Sequence, residues 1–173
     1  MGTIDYYQTT MKGIHKSLLE AVEGLTEEQL HFRALDKGNH IAWIIWHSVR
    51  TEDLVLNLML QKKSPVWNAE KWDKKFGMDP RSQGTGMSEE EAAALRIEDM
   101  DEFTKYMENV FKSTEDYLST ISEEDLGVVQ DLPGMGKRSL SEVIGGTILQ
   151  HFASHLGEIS YIKGLMGLSG NSV

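Results

Sequence analysis

The chain has 173 residues, three prolines, no cysteine and a formal charge of −10. That length buries a substantial core in one domain without a disulfide or metal staple, and the lack of cysteine excludes a thiolate metal site and an enzyme thiol nucleophile. The acidic balance argues against a nucleic-acid groove or an anionic membrane surface, both of which need clustered Lys and Arg.

The start, Met-Gly-Thr-Ile-Asp-Tyr-Tyr, has no basic stretch ahead of an apolar one, and position 6 is Tyr6 where a myristoylation signal wants Ser or Thr. No apolar run approaches membrane-spanning length. A soluble cytoplasmic protein is the expectation. Ile4, Tyr7, Met11, Ile14, Leu18 and Val22 then recur every three or four residues, which predicts an amphipathic helix over 3 to 23 that Gly24 stops. Thr26-Glu-Glu-Gln29 is a capping box opening a short helical turn.

Asn39 reads as the N-cap of a second helix running to about Leu60 and carrying Ile41, Ile44, Ile45, Val49, Leu54, Val55 and Leu58. Its first half is apolar nearly all round, as a central helix would be. Residues 62 to 87 break every period with Pro65, Gly77, Pro80, Gly84 and Gly86, too long a stretch for a plain connection. In it Lys62, Lys63, Lys71, Lys74, Lys75 and Arg81 outnumber Glu70, Asp73 and Asp79, and Trp67 and Trp72 add two indoles. Two readings stand: a lid favouring an anionic, partly apolar ligand, or a loop whose tryptophans anchor it over the core.

Ser88-Glu-Glu-Glu91 restarts helix, and a third long helix over 99 to 120 carries Phe103, Tyr106, Met107, Val110, Phe111, Tyr117 and Leu118 on its apolar side. After Pro133, Gly134 and Gly136, Ser139-Leu-Ser-Glu142 opens a fourth helix to about Met166, with Gly167 as its stop. The fold class expected is all-α: a four-helix bundle, one domain over 1–173, with a long connector between the second and third long helices. Leu25-Thr-Glu-Glu-Gln-Leu30 is echoed by Ile121-Ser-Glu-Glu-Asp-Leu126, which would make the second and fourth helices counterparts.

Those two helices carry the histidines. His151 and His155 stand four apart and share a face, so both imidazoles can grip one cation, and His47 from a facing helix completes a three-nitrogen site. Three neutral imidazoles leave a coordination position open, as catalytic zinc sites do. The alternative is that His47 and His151 are satisfied core histidines and His155 lies on a solvated face. Glu158 shares the face of the pair and can orient an imidazole, bind a proton or touch substrate, or it is a surface carboxylate pairing with Lys163 or solvent. His40 lies two turns before His47, roughly 10 Å away along the axis, which makes it a pocket-rim residue or a polar helix start. Trp43 and Trp46 read as core aromatics, and Arg50 with Asp53 as a structural pair. Gly145, Gly146 and Gly157 suggest close backbone approach, room for a ligand or small packing positions.

Trp43-x-x-Trp-His47-x-x-Arg50-x-Glu-Asp53, with His151-x-x-x-His155-x-Gly-Glu-Ile159 about a hundred residues later, resembles the DinB/YfiT-like metalloenzyme superfamily over essentially the whole chain. The resemblance implies one divalent ion, zinc or nickel, held by His47, His151 and His155 in a bundle that often forms a homodimer. Some members of that family transfer low-molecular-weight thiols onto electrophiles. The leading expectation is therefore a metal-dependent thiol transfer using a small-molecule thiol and an electrophilic substrate. A metal-dependent hydrolase with Glu158 as base, and a non-enzymatic helical module binding a small molecule or partner, are the alternatives.

Overall fold

A computed structural model describes residues 2–35 and 38–170; the single-domain expectation over 1–173 reaches outside the described residues. In chain order they form α1 (Thr3–Val22), α2 (Glu27–Leu30), α3 (Ile41–Glu52) extended by a π-helical segment Asp53–Leu60, α4 (Val66–Ala69), α5 (Trp72–Phe76) and α6 (Glu89–Ala94). There follow α7 (Met100–Thr120), strands β1 (Val129–Leu132) and β2 (Gly136–Ser139), then α8 (Leu140–Glu142), a second π-helical segment Val143–Leu149, and α9 (Gln150–Leu165). The fold is an all-α four-helix bundle in which α1 and α3 each pack against α7 and α9. Met11, Leu18, Ile45, Val49, Phe103, Met107, Val110, Phe152 and Ile159 are fully enclosed at its centre.

Local chemistry sets the helix ends. Thr26, Ser88 and Ser139 each accept from the backbone N–H three residues on, and Gln29, Glu91 and Glu142 reach back to complete the capping boxes. The second long helix corrects the expectation for Asn39. Its N-cap is His40, whose Nδ1 accepts from the Trp43 N–H at 3.0 Å. His40 is wholly buried, and that burial, followed by the nearby charges of His31 and Arg96, pushes its pKa down to about 4. A neutral ring is what an accepting nitrogen requires, so His40 is a structural cap and no part of a pocket rim.

Two features escape the helical pattern. Gln61 N–H bonds to the Leu56 carbonyl five residues back, and the widened winding turns Asp53 and Asn57 inward while leaving Leu58 at 44% exposure, opposite to the face its apolarity suggests. The hairpin replaces what the sequence shows only as a break. Pro133 and Gly134, the latter at φ +76, occupy the middle of a turn closed by Met135 N–H to the Leu132 carbonyl at 3.0 Å. Its strands are four residues each and mostly exposed, so no alternating apolar pattern announces them.

One ring joins all four long helices. His15 of α1 places Nε2 3.0 Å from Glu52 of α3 and Nδ1 3.0 Å from Glu115 of α7. It stacks on Phe111 of α7 with centroids 4.0 Å apart and meets the edge of Phe152 of α9. Carboxylates only accept, so both contacts are hydrogen bonds only when both ring nitrogens carry protons. Burial opposes that charge, but Glu52 and Glu115 outweigh it and the pKa is raised above 6.5. A folded-state pKa above the unfolded value gives stability that is complete below about pH 6.5 and is lost as pH rises through the folded pKa. Denaturant unfolding should therefore show a loss of about 1–3 kcal/mol above the raised pKa, where a buried carboxylate loses its donor. The loss should vanish in His15→Gln, and an unchanged difference in that variant would assign it elsewhere.

Candidate metal centre

His47 stands on α3, and His151 and His155 stand on α9, facing it. Nε2 of His151 lies 3.1 Å from Nε2 of His47 and 3.0 Å from Nε2 of His155. One nitrogen from each ring falls within 4.8 Å of the others, so the three could hold an ion. Three nitrogens bound at about 2.0–2.1 Å with tetrahedral angles would stand about 3.3 Å apart, close to what is seen.

The far side of two rings fixes their tautomers. Nδ1 of His47 donates to the Gln83 carbonyl, and Nδ1 of His155 donates to Glu158 Oε2 at 2.8 Å. Each ring then presents an Nε2 lone pair, the arrangement that outer partners impose on metal-binding histidines. His151 can give one Nε2 proton to only one of its two neighbours, so without a cation the other Nε2 contact has no proton of its own. A cation at the common point relieves that contact, and in this sense the donor set fits a metal. Burial, then the neighbouring imidazoles, push the His151 pKa to about 4. Burial lowers that of His47 as well. Both effects preserve neutral donors. The centre opens on the Glu158 side, where that side chain is 53% exposed.

The connector carries the third element of the centre. Buried Asp53 accepts from the backbone N–H of Val66 at 2.8 Å and of Trp67 at 2.9 Å, and from Asn57 Nδ2 and Tyr106 OH. Arg50, also enclosed, donates to Asp53 at 3.4 Å, to the Ser82 carbonyl at 3.2 Å and to the Pro80 carbonyl at 3.3 Å, with its guanidinium over the Trp67 ring. The expected Arg50–Asp53 pair is thus a buried node that lays residues 65 to 83 along α3 and delivers the Gln83 carbonyl to His47.

Trp67 and Trp72 are buried, and the Lys75 ammonium sits 3.9 Å from the Trp72 ring centroid. They anchor the loop, which removes the reading of an indole-lined lid over an anion. Trp43 stacks on His47 with centroids 4.8 Å apart. Glu158 pairs with His155 instead of Lys163, whose ammonium donates to the Ala21 carbonyl. Of the three helix glycines, Gly145 meets a side chain rather than a backbone: an added Cβ would lie 3.0 Å from Tyr7 OH, whereas among the described residues nothing outside the local helix backbone lies within 4 Å of one at Gly146 or Gly157.

Gln83 and Gly84 were not distinguishable in the sequence as parts of the site. A carbonyl leaves no residue-type signature, and Gly84 looked like one of several loop breakers. Its φ is +96, and a Cβ there would come within 2.9 Å of Trp43, 3.0 Å of His47 Nδ1 and 3.1 Å of Trp46. Only glycine lets the connector lie this close to the histidine.

Residues 12–159 match the DinB superfamily. The chain belongs to that family. A conserved protein of Enterococcus faecalis shares its fold with a TM-score of 0.81 at 22% identity, over 96% of this chain and 99% of that one. An uncharacterised protein of Clostridium difficile 630 aligns with a TM-score of 0.61 at 11% identity, over 95% of this chain and 97% of its own. A Streptococcus pneumoniae protein aligns with a TM-score of 0.61 at 12% identity, over 95% and 92%. No curated protein matches the chain. Among the described residues no helix is long and apolar enough to cross a membrane.

Gly84→Ala should lower stability by about 1–3 kcal/mol through backbone strain and overlap. It should also displace the His47 Nδ1–H resonance in nitrogen-detected NMR. An unshifted resonance with a wild-type melting temperature would show that the loop does not press on His47.

Proposed function

We propose that the protein is a divalent-metal-dependent enzyme that transfers a low-molecular-weight thiol to an electrophilic small molecule, with zinc or nickel on His47, His151 and His155. The observation that carries this reading is the convergence of three imidazole Nε2 atoms, two of them fixed as lone-pair donors by acceptors behind the ring. A divalent ion held there supplies Lewis acidity that lowers the pKa of a bound thiol or water toward neutrality. The chain has no cysteine, so the sulfur comes from the cosubstrate. The thiol proton leaves to solvent, a sulfur lone pair forms the new bond to carbon, and the electrons of the bond broken there leave with the departing group.

Glu158 serves as a positioning residue that holds the His155 ring. Its hydrogen bond with His155 lowers its pKa below the usual carboxylate value. A hydrolase would need a base free to take a proton from bound water, and a carboxylate already engaged with the His155 ring at 2.8 Å suits orientation better. That contrast favours thiol transfer over hydrolysis.

Elemental analysis of untagged protein tests the ligand set. About one divalent ion per chain is expected, absent in His47→Ala and His151→Ala, and bound about 10–100-fold more weakly in Glu158→Ala. Metal-loaded protein incubated with a small thiol and chlorodinitrobenzene should form the thioether, and the chelated protein should fall to the background rate. Stoichiometric metal with ester cleavage and no thioether would replace the reading by hydrolysis. Wild-type protein that binds no metal would end it.

A further inference from the structure

His47 and His155 are oriented by different means. His155 Nδ1 donates to Glu158, three residues on in the same helix, so that bond is available wherever α9 forms. His47 Nδ1 donates to the Gln83 carbonyl, 36 residues away in the connector. Its tautomer therefore depends on a tertiary contact. Ser82 and Met87 line a cavity of about 740 Å³ beside the N-terminal end of α7, so part of the 82–87 segment has open space instead of packed side chains behind it. What holds the segment against His47 comes from α3.

Three residues of α3 grip it, at spacings that put them on one side of the helix. His47 donates to the Gln83 carbonyl, Arg50 Nε donates to the Ser82 carbonyl at 3.2 Å, and Thr51 Oγ1 donates to Gln83 Oε1 at 3.4 Å. Thr85 Oγ1 donates to the same amide oxygen at 3.1 Å, from within the turn that Met87 N–H closes on the Gly84 carbonyl. Gln83 is thus held at its main-chain and side-chain oxygens by two residues one turn apart.

The Thr51 contact departs from what other helix hydroxyls near the centre do. Ser48 Oγ donates to the Ile44 carbonyl at 2.7 Å and Ser154 Oγ to the Gln150 carbonyl at 3.0 Å, four residues back in each case, the common recourse of a hydroxyl inside a helix. Thr51 instead reaches across to the connector.

We propose that Thr51 and the Gln83 side chain form a latch that keeps the connector on His47, and that these two positioning residues, neither of which offers a ligand atom, set the His47 tautomer and thereby how tightly the centre holds its ion. Control of the tautomer is a property of the protein alone, whereas control of affinity rests on the metal reading above. With the latch closed, the Gln83 carbonyl keeps the proton on Nδ1 and Nε2 presents its lone pair. With it open, the neutral ring divides its proton between the two nitrogens, and the fraction protonated at Nε2 has no lone pair there for a cation.

Nitrogen-detected NMR of the metal-free, full-length protein reads the tautomer, with the signal assigned through His47→Gln. His47 should be protonated at Nδ1 alone. Thr51→Val, which keeps the size and removes the hydroxyl, and Gln83→Ala, which keeps the carbonyl, should each produce an Nε2-protonated fraction. Both positions are only partly buried, and the His155 Nδ1–H signal, held within α9, should stay in place as a sign that the centre is still folded. Thr51→Ser should restore the wild-type spectrum. Zinc titration against a competing chelator should show about fivefold weaker binding in either variant, and the double variant should bind no more weakly than Gln83→Ala, because the two side chains act through one bond. The proposal is overturned if Thr51→Val and Gln83→Ala leave His47 protonated at Nδ1 alone, if Thr51→Ser behaves as Thr51→Val does, or if the two losses of affinity add. Wild-type protein that binds no zinc would remove the metal reading and the affinity half of the proposal, while the tautomer spectra decide the latch itself.

Discussion

Everything around the histidine centre depends on how one enclosed carboxylate is satisfied. Asp53 sits inside the bundle, where a carboxylate without donors would be strongly destabilising. Two of its donors are consecutive backbone N–H groups of the connector, at Val66 and Trp67, and a third is Arg50, which also holds two connector carbonyls. A long irregular segment is thereby bound to α3 along much of its length. The site inherits that rigidity, because the acceptor orienting His47 is the Gln83 carbonyl of the same segment. The π-helical winding that begins at Asp53 belongs to this arrangement, since it brings Asp53 and Asn57 to the interior together.

The charge distribution divides the molecule into regions of different chemistry. At the bundle centre, His15 between Glu52 and Glu115 is a paired cation that touches every long helix. At the candidate metal centre His47 and His151 are driven toward neutrality, by burial first and then by the neighbouring imidazoles. Burial acts against charge in both places. At His15 two carboxylates face the ring and outweigh that burial.

Across the 82–87 segment the cavity beside α7 is acidic, although the connector that forms much of it carries an excess of lysine. Residue counting along the chain misses this because the lysines turn outward or pair, while the acidic first turns of α6 and α7 come in from elsewhere in the sequence. The local charge of a loop and the charge of the cavity it covers are different quantities. The second is set by which helix ends are brought against it.

Much of the architecture is written locally. Apolar spacing and the capping boxes at Thr26, Ser88 and Ser139 determine the helices and most of their ends, since those signals act within a turn of the chain. The HxxxH spacing determines that His151 and His155 share a face. What the sequence could not determine is anything resting on contacts between distant segments. The cap at His40, the π-helical turns, the small hairpin, the inward tryptophans of the connector, and the approach of His47 to the pair on α9 depend on which surfaces meet. Such choices follow from burying polar groups only where donors and acceptors match, and that matching exists only once the four helices and the connector are packed together.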